Sequence, residues 1–386
     1  MVIAYLTTSR LVINSMCDLL LLCSFFSEIN RMKNIYLFLS LSLFALPFAL
    51  LAGNPDRQGE AGANQLLINP WARSAGFHSM NTANVTGVDA LYLNVAGLTR
   101  INKTQIQFCH TRYLDGADIN LNAVGLAQKI GKKKSGSLGI SLVSFDLGDF
   151  DFTTETTPEG TGATFSPTYF NLGVSYAHMF ANKVSVGVTG KMVSESTSSV
   201  QANAFAIDAG VQYVTGENDN FKFGISLRNV GSRMQFKGEG LSEQRPNPSP
   251  AFDYPVTYYQ RASPYELPSQ LNIGASYDWY LTSKDYRLTA VGNFTSNSFS
   301  RDLLGGGLEF GYRDLFALRV GYKSETDFSD LESSLDNGIS AGFSVSVPLR
   351  KKEAEDMYIP RMSIDYGYRS TDVFNGIHNI GVRIDL

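Results

Sequence analysis

Cysteine is scarce in this chain, with three residues in 386. Cys17 and Cys23 lie near the start, ahead of an apolar stretch with the order of an export signal. Cys109 is then alone, so no internal disulfide is expected in the exported chain, and backbone pairing and packing must hold it together. Histidine is limited to His78, His110, His178 and His378. None stands in an HExxH or Cys/His array, so no metal ligand set is expected. No GxSxG occurs, which removes the nucleophile elbow of a hydrolase. Gly305-Gly306-Gly307 is followed by no Lys-Ser/Thr pair and reads as a small patch on a strand, not a phosphate loop. Neither catalysis nor a cofactor is expected. The formal net charge is -4 and no basic stripe occurs, so nothing points to nucleic acid.

Long apolar runs are also missing beyond Ala52, and the mean hydropathy of -0.08 argues against a helical membrane protein. It leaves a membrane barrel open, because only alternate residues of a barrel strand face lipid. Upstream, Met32-Lys33-Asn34 leads into the apolar run 35–51 and then Ala52, the basic, apolar and small regions of a secretory signal peptide over residues 32–52. Residues 1–31 read as an upstream extension, with Met32 as the start. The alternative is a membrane hairpin of 11–27 and 35–52, which Asp18, Glu28, Arg31 and Lys33 oppose.

What the chain does contain is period-two alternation. Leu304, Leu308, Phe310 and Tyr312 alternate with Gly305, Gly307, Glu309 and Gly311, and Phe316, Leu318, Val320 and Tyr322 resume the pattern. A turn over 313–315 pairs Tyr312 with Phe316 and Phe310 with Leu318, giving one wholly apolar face. Glu309 falls opposite Arg319 on the other face. This pair reads first as an ordinary cross-strand contact in a lumen and second as a ligand-orienting pair. Lys191, Asp208 and Glu195 are candidates for the same lumen.

The alternation predicts strands at 104–113, 118–130, 137–147, 168–180, 184–195, 203–214, 221–230, 270–279, 286–295, 304–312, 316–323, 338–347, 361–369 and 376–386. That is about fourteen, an even count, as a closed single-chain barrel requires. Long connections at 148–167, 231–269 and 324–337 fall at one end, and most connections at the other end are tight. The expected fold is therefore all-β: a transmembrane antiparallel barrel over 104–386, with long loops outside. Tyr176, Trp279 and Tyr312, near the turns, suit an aromatic girdle, and His178 suits the interface. Residues 53–103 show no clean period and are expected inside or beneath the barrel. In the loop 233–268, prolines are expected to resist regular structure, and Tyr254, Tyr258, Tyr259 and Tyr265 could offer a protein contact, with a solvated spacer as the alternative.

Two stretches carry a family resemblance. Ala72-Arg73-Ser74-Ala75, and then Asp89 through Asn94 to Gly97 and Leu98, resemble the "AR-x-x-G…D-A-x-x-x-x-NPAGL" signature of PorV/PorQ family outer-membrane proteins, relatives of the FadL-type transporters. Pro158–Gly162, Leu227-Arg228-Asn229-Val230-Gly231 and Leu267-Pro268 followed by Gly274–Tyr277 are similar to further family patterns. Val95 replaces the usual proline. The resemblance spans about residues 60–386. It implies a FadL-like barrel in the outer membrane that assists type IX protein secretion, with translocon or attachment-complex proteins and exported C-terminal domains as partners. It also implies the alternative of a channel for hydrophobic small molecules. The last strand, with Ile380, Val382, Ile384 and Leu386, resembles the signal read by the barrel-assembly machinery, although that signal usually ends on an aromatic residue.

Overall fold

The computed structural model describes residues 54–386, apart from 132–134, 249–252, 282–284, 314, 327–337, 351–358 and 373. The signal peptide expected over 32–52 and the extension over 1–31 lie outside the described residues. The strands in chain order are β1 Thr104–Tyr113, β2 Ile119–Ile130, β3 Gly136–Asp146, β4 Phe150–Asp151, β5 Thr164–Phe165, β6 Thr168–Phe180, β7 Val184–Thr197, β8 Val200–Thr215 and β9 Phe221–Gly231. They continue with β10 Ser242–Arg245, β11 Val256–Tyr259, β12 Gln270–Leu281, β13 Tyr286–Asn297, β14 Leu303–Tyr312, β15 Phe316–Glu325, β16 Gly338–Pro348, β17 Arg361–Arg369 and β18 Ile377–Asp385. Fourteen of these close into one antiparallel barrel, in which β18 returns to pair with β1. Each expected strand is present, with its ends shifted by no more than three residues.

The registers follow from the short turns. Across 181–183, Phe180 pairs with Val184 and Tyr176 with Val188; across 313–315, Tyr312 pairs with Phe316 and Glu309 with Arg319. Pairing at these turns puts like faces together all the way along each hairpin. In β8, Phe205, Ile207, Val211 and Tyr213 are exposed, while Ala204, Ala206, Asp208 and Gln212 are buried. In β14 and β15, Leu304, Leu308, Phe310, Leu318 and Val320 are exposed and Glu309 and Arg319 are buried. A wall that shows its apolar side chains outward and hides its polar ones is built for hydrocarbon outside. Closure leaves no unpaired edge in that medium.

The two longest connections, 147–167 and 232–269, fall at one end, and the barrel rule makes that end extracellular and the opposite end periplasmic. On the outer surface near the periplasmic turns, Tyr277 packs at a tilt against Trp279 with ring centroids 4.8 Å apart, and Tyr286 against Tyr312 at 5.0 Å. Aromatic rings at this level match the girdle of a membrane barrel. His178 joins the same belt, with its ring 4.7 Å from Phe180.

The loop before β12 departs from expectation. Ser242–Arg245 pairs with Val256–Tyr259 as a separate two-stranded hairpin. Pro246, Pro248 and Pro250 fall between the paired segments and Pro255 just precedes the second, so no proline removes a donor from the ladder. A smaller hairpin joins Phe150–Asp151 to Thr164–Phe165 in the loop before β6.

Candidate functional site

The lumen is occupied by the chain itself. The segment begins at the extracellular end, where Gly62 N–H donates to the Glu266 carbonyl at 3.0 Å. It ends at the periplasmic end, where Thr99 Oγ1 donates to Ser185 Oγ at 2.8 Å and the backbone N–H groups of Thr104 and Leu386 donate to each other's carbonyls. Between them lie two one-turn helices, α1 Ala72–Ala75 and α2 Ala90–Leu93, joined by 3-10 turns. Helices this short have no independent stability, so packing against the wall sets their shape. Trp71, Val88, Leu91, Leu98 and Ile101 form a core with Cys109, Ala123, Ala127 and Ala177 of the barrel. Each large side chain buried there contributes on the order of 1.5–3 kcal/mol. Small wall residues make the room. A Cβ on Gly367 would sit 2.5 Å from the Ala72 carbonyl, and one on Gly210 would meet the Asn94 side chain at 2.1 Å.

The signature residues of the segment are all placed by this packing. Asp89 is buried and accepts from Ser74 Oγ at 2.7 Å, from Ser74 N–H at 3.1 Å and from Gln107 Nε2 at 2.9 Å. Asn94 donates through Nδ2 to the carbonyls of Thr82 and Val211, both at 3.1 Å, and accepts from the Ala96 N–H at 3.2 Å. Gly97 passes so near Val85 that a Cβ would meet its carbonyl at 2.1 Å, and Leu98 is fully buried. Arg73 reaches Thr86 Oγ1 at 3.3 Å and points into the periplasmic cavity.

At the extracellular end the wall grips the segment with charges. Lys191 pairs with Asp208 at 2.6 Å and donates to Asn229 Oδ1 at 2.7 Å. The register of β8 and β9 slips between Ile207 and Ala209, and Asn229 adopts φ 60°. This bulge turns the Asn229 N–H onto Asp208 at 2.7 Å. Arg228 lies over the Tyr92 ring at 3.9 Å and donates to the Leu66 carbonyl at 3.2 Å. Glu195 accepts from Gln65 at 2.7 Å and from the Tyr265 hydroxyl at 2.8 Å. Burial first, and then that hydrogen bond to the carboxylate, push the Tyr265 phenol above its ordinary pKa. Tyr265 therefore faces inward, whereas Tyr254, Tyr258 and Tyr259 are exposed on or beside the loop hairpin. Sequence spacing gave no sign of this division, nor of the part played by Arg228 and Asn229.

At the periplasmic end a cavity of about 600 Å³ lies under the segment. Glu309 bridges Arg319 at 2.6 Å and Arg287 at 2.5 Å, and Arg319 also donates to Ser344 at 2.6 Å. Arg383 stands 3.6 Å from Asp365 and 3.3 Å from Asp385, and Arg313 pairs with Asp285 at 2.9 Å in the turns below. Arg73, Arg100 and Arg361 complete the basic lining. The expected pair Glu309–Arg319 is present, but as part of a wider network than the hairpin alone implied. Among the described residues, no group of three or more His, Cys, Asp or Glu side chains could hold a metal ion.

Among solved structures, the chain is similar to a TodX deltaS2S3 mutant monoaromatic hydrocarbon channel, with a TM-score of 0.47 and 12% identity over 81% of this chain and 96% of that one. A FadL homologue of Pseudomonas aeruginosa gives a TM-score of 0.47 and 10% identity over 81% and 98%. The Ralstonia pickettii toluene transporter TbuX gives 0.45 and 10% over 80% and 97%. No curated protein matches the chain. Residues 54–263, over half of the chain, match the family described as type IX secretion system protein PorV, and they include the lumen segment and the Arg228-Asn229 bulge; the chain belongs to that family, as an outer-membrane β-barrel associated with type IX secretion.

Proposed function

We propose that this barrel is a non-catalytic component of type IX secretion that receives exported proteins, or the translocon and attachment proteins that handle them, at its extracellular mouth. The observation that carries this reading is the division of the molecule's polar surface. Much of the lumen is occupied by the chain's own segment over 62–103, while the loop hairpin holds Tyr258 and Tyr259 out at 43% and 58% exposure, with Tyr254 at 57% beside it. Exposed tyrosines on a preformed hairpin give contact area at low entropic cost. Export through a signal peptide at 32–52, and insertion by the barrel-assembly machinery acting on the last strand, belong to the same reading.

The test is a pull-down from detergent-solubilised outer membrane, with the wild-type chain and a Tyr258→Ser/Tyr259→Ser variant. Wild type should retain exported C-terminal domains or secretion components, and the variant should lose them while keeping a heat-modifiable barrel. Equal retention by both removes the hairpin from the reading. Loss of no exported protein when the chain is deleted removes the secretion role itself.

A second reading rests on a cavity of about 290 Å³ at the extracellular end, lined by Ile68, Tyr113, Ile119, Phe145, Leu147 and Tyr169, with Asn64, Gln65 and Glu195 at its polar side. Its walls suit an apolar small molecule held above the lumen segment, as a hydrocarbon channel would need. Uptake of an apolar compound that disappears on deletion, with secretion intact, would favour this reading over the first.

A further inference from the structure

The periplasmic cavity brings together more guanidinium than carboxylate. Seven arginines line it, against six carboxylates: Asp285 and Asp385 in the lining, Glu309 and Asp365 just behind it, Asp219 within electrostatic reach of Arg100 and Asp89 within reach of Arg73. Among the described residues neither Arg73 nor Arg100 is in an ion pair. Among the described residues, Nε and Nη2 of Arg100 are buried with no hydrogen-bond partner. Burying such donors without an acceptor is unfavourable, and a bound anion would supply one. Thr86, Asn102 and the Ser346–Ser363 hydroxyl pair add further donors to the lining, while Ser344 and Gln105 already donate to Asp365 and Asp385.

We propose that this cavity is a binding site for a phosphate-bearing anion, entered from the periplasmic side. Guanidinium forks and hydroxyls arriving from several directions match tetrahedral phosphate oxygens. About 600 Å³ accommodates a diphosphate or a phospholipid headgroup with its water. An acidic peptide fits less well. The barrel wall is closed, so among the described residues it offers no free strand edge at the cavity to pair with a peptide main chain. The site is separate from the extracellular mouth and stands whether or not that mouth receives exported proteins.

The probe is inorganic pyrophosphate, titrated calorimetrically into the full chain in neutral detergent at low salt. Saturable binding is expected, weakened at least tenfold in Arg73→Gln/Arg100→Gln, retained in part by Arg100→Lys, and unchanged by Arg112→Gln at the extracellular end. Nanodiscs of phosphatidylglycerol and of phosphatidylcholine distinguish the source. Both lipids carry a phosphate headgroup, so the neutral detergent is the reference: if pyrophosphate affinity falls below its detergent value in either disc, the headgroup is the resident ligand; if it matches the detergent value in both, a soluble phosphoester is. No saturable binding by wild type overturns the proposal. So does equal loss in the Arg112→Gln control, or equal affinity for a glutamate-rich peptide of matched charge. The wild-type titration and this peptide comparison decide the matter even if the double variant does not fold.

Discussion

Asp89 Oδ1 accepts a hydrogen bond from Gln107 Nε2 at 2.9 Å, and this contact keys the lumen segment to the first barrel strand. Its other oxygen holds α1 through Ser74. One buried carboxylate thus ties helix, segment and wall together. Asp89→Ala leaves the Ser74 N–H and hydroxyl and the Gln107 amide without their acceptor. A loss of about 3 kcal/mol is expected, felt by the segment more than by the strands. Hydrogen exchange should show faster amides over 70–100, with the β1–β18 ladder still protected. Uniform protection in the variant would falsify the keying role.

Gly367 faces the backbone of α1, where an added Cβ would meet the Ala72 carbonyl at 2.5 Å and Gly76 N at 3.0 Å. A backbone cannot turn aside as a side-chain tip can. Gly367→Ala should therefore displace the helix and cost about 1–3 kcal/mol. Gly292, on the outer face of β13, has nothing within 4 Å of a built Cβ, so Gly292→Ala is the matched control. Thermal unfolding in detergent should separate the two variants. Equal midpoints would mean that α1 is not clamped.

These two sites show where the sequence was readable and where it was not. Period-two alternation and tight turns are local signals, and they gave all fourteen strands and the registers at 181–183 and 313–315. The inward glycines were legible as small, but not as seats for α1 or Asn94, because the fit depends on contacts between residues far apart in sequence. Arg73, Arg287, Arg319, Arg361 and Arg383 converge from five separate stretches. Only the stagger of the closed barrel places them side by side, and no spacing in one chain encodes that stagger. Tyr265 was likewise grouped with its loop neighbours by composition, and only the contact with Glu195 sets it apart.

Glu309 is held by Arg319, whose side chain is 3% exposed, and by Arg287, which is 30% exposed. Arg287 can turn to water when the carboxylate is removed, but Arg319 cannot. Glu309→Ala should destabilise the barrel by about 3–5 kcal/mol, the cost of a stranded buried charge. Glu309→Met/Arg319→Met should recover most of that loss, because both desolvation costs disappear together. Reversible urea unfolding into detergent measures both. A double variant as weak as the single one would mean that the pair is more than a compensated charge.

Tyr265 gives the extracellular mouth an alkaline limit. Its phenol is raised above the ordinary value, so the folded state holds this proton more tightly than the unfolded state. The contribution is then complete below the unfolded tyrosine pKa of about 10 and declines as pH rises past it. On losing the proton, the phenolate would face Glu195 across a contact that is 2.8 Å in the neutral form, charge against charge. The amides of Gly62 and Met234, which bond to Glu266 and to Tyr265 itself, report on this corner. After correction for intrinsic rates, their exchange should accelerate above about pH 10 in wild type. Tyr265→Phe removes the proton and one hydrogen bond of about 1–2 kcal/mol, so these amides should exchange faster at neutral pH but lose the alkaline step. An alkaline step that persists in Tyr265→Phe would assign it to another group.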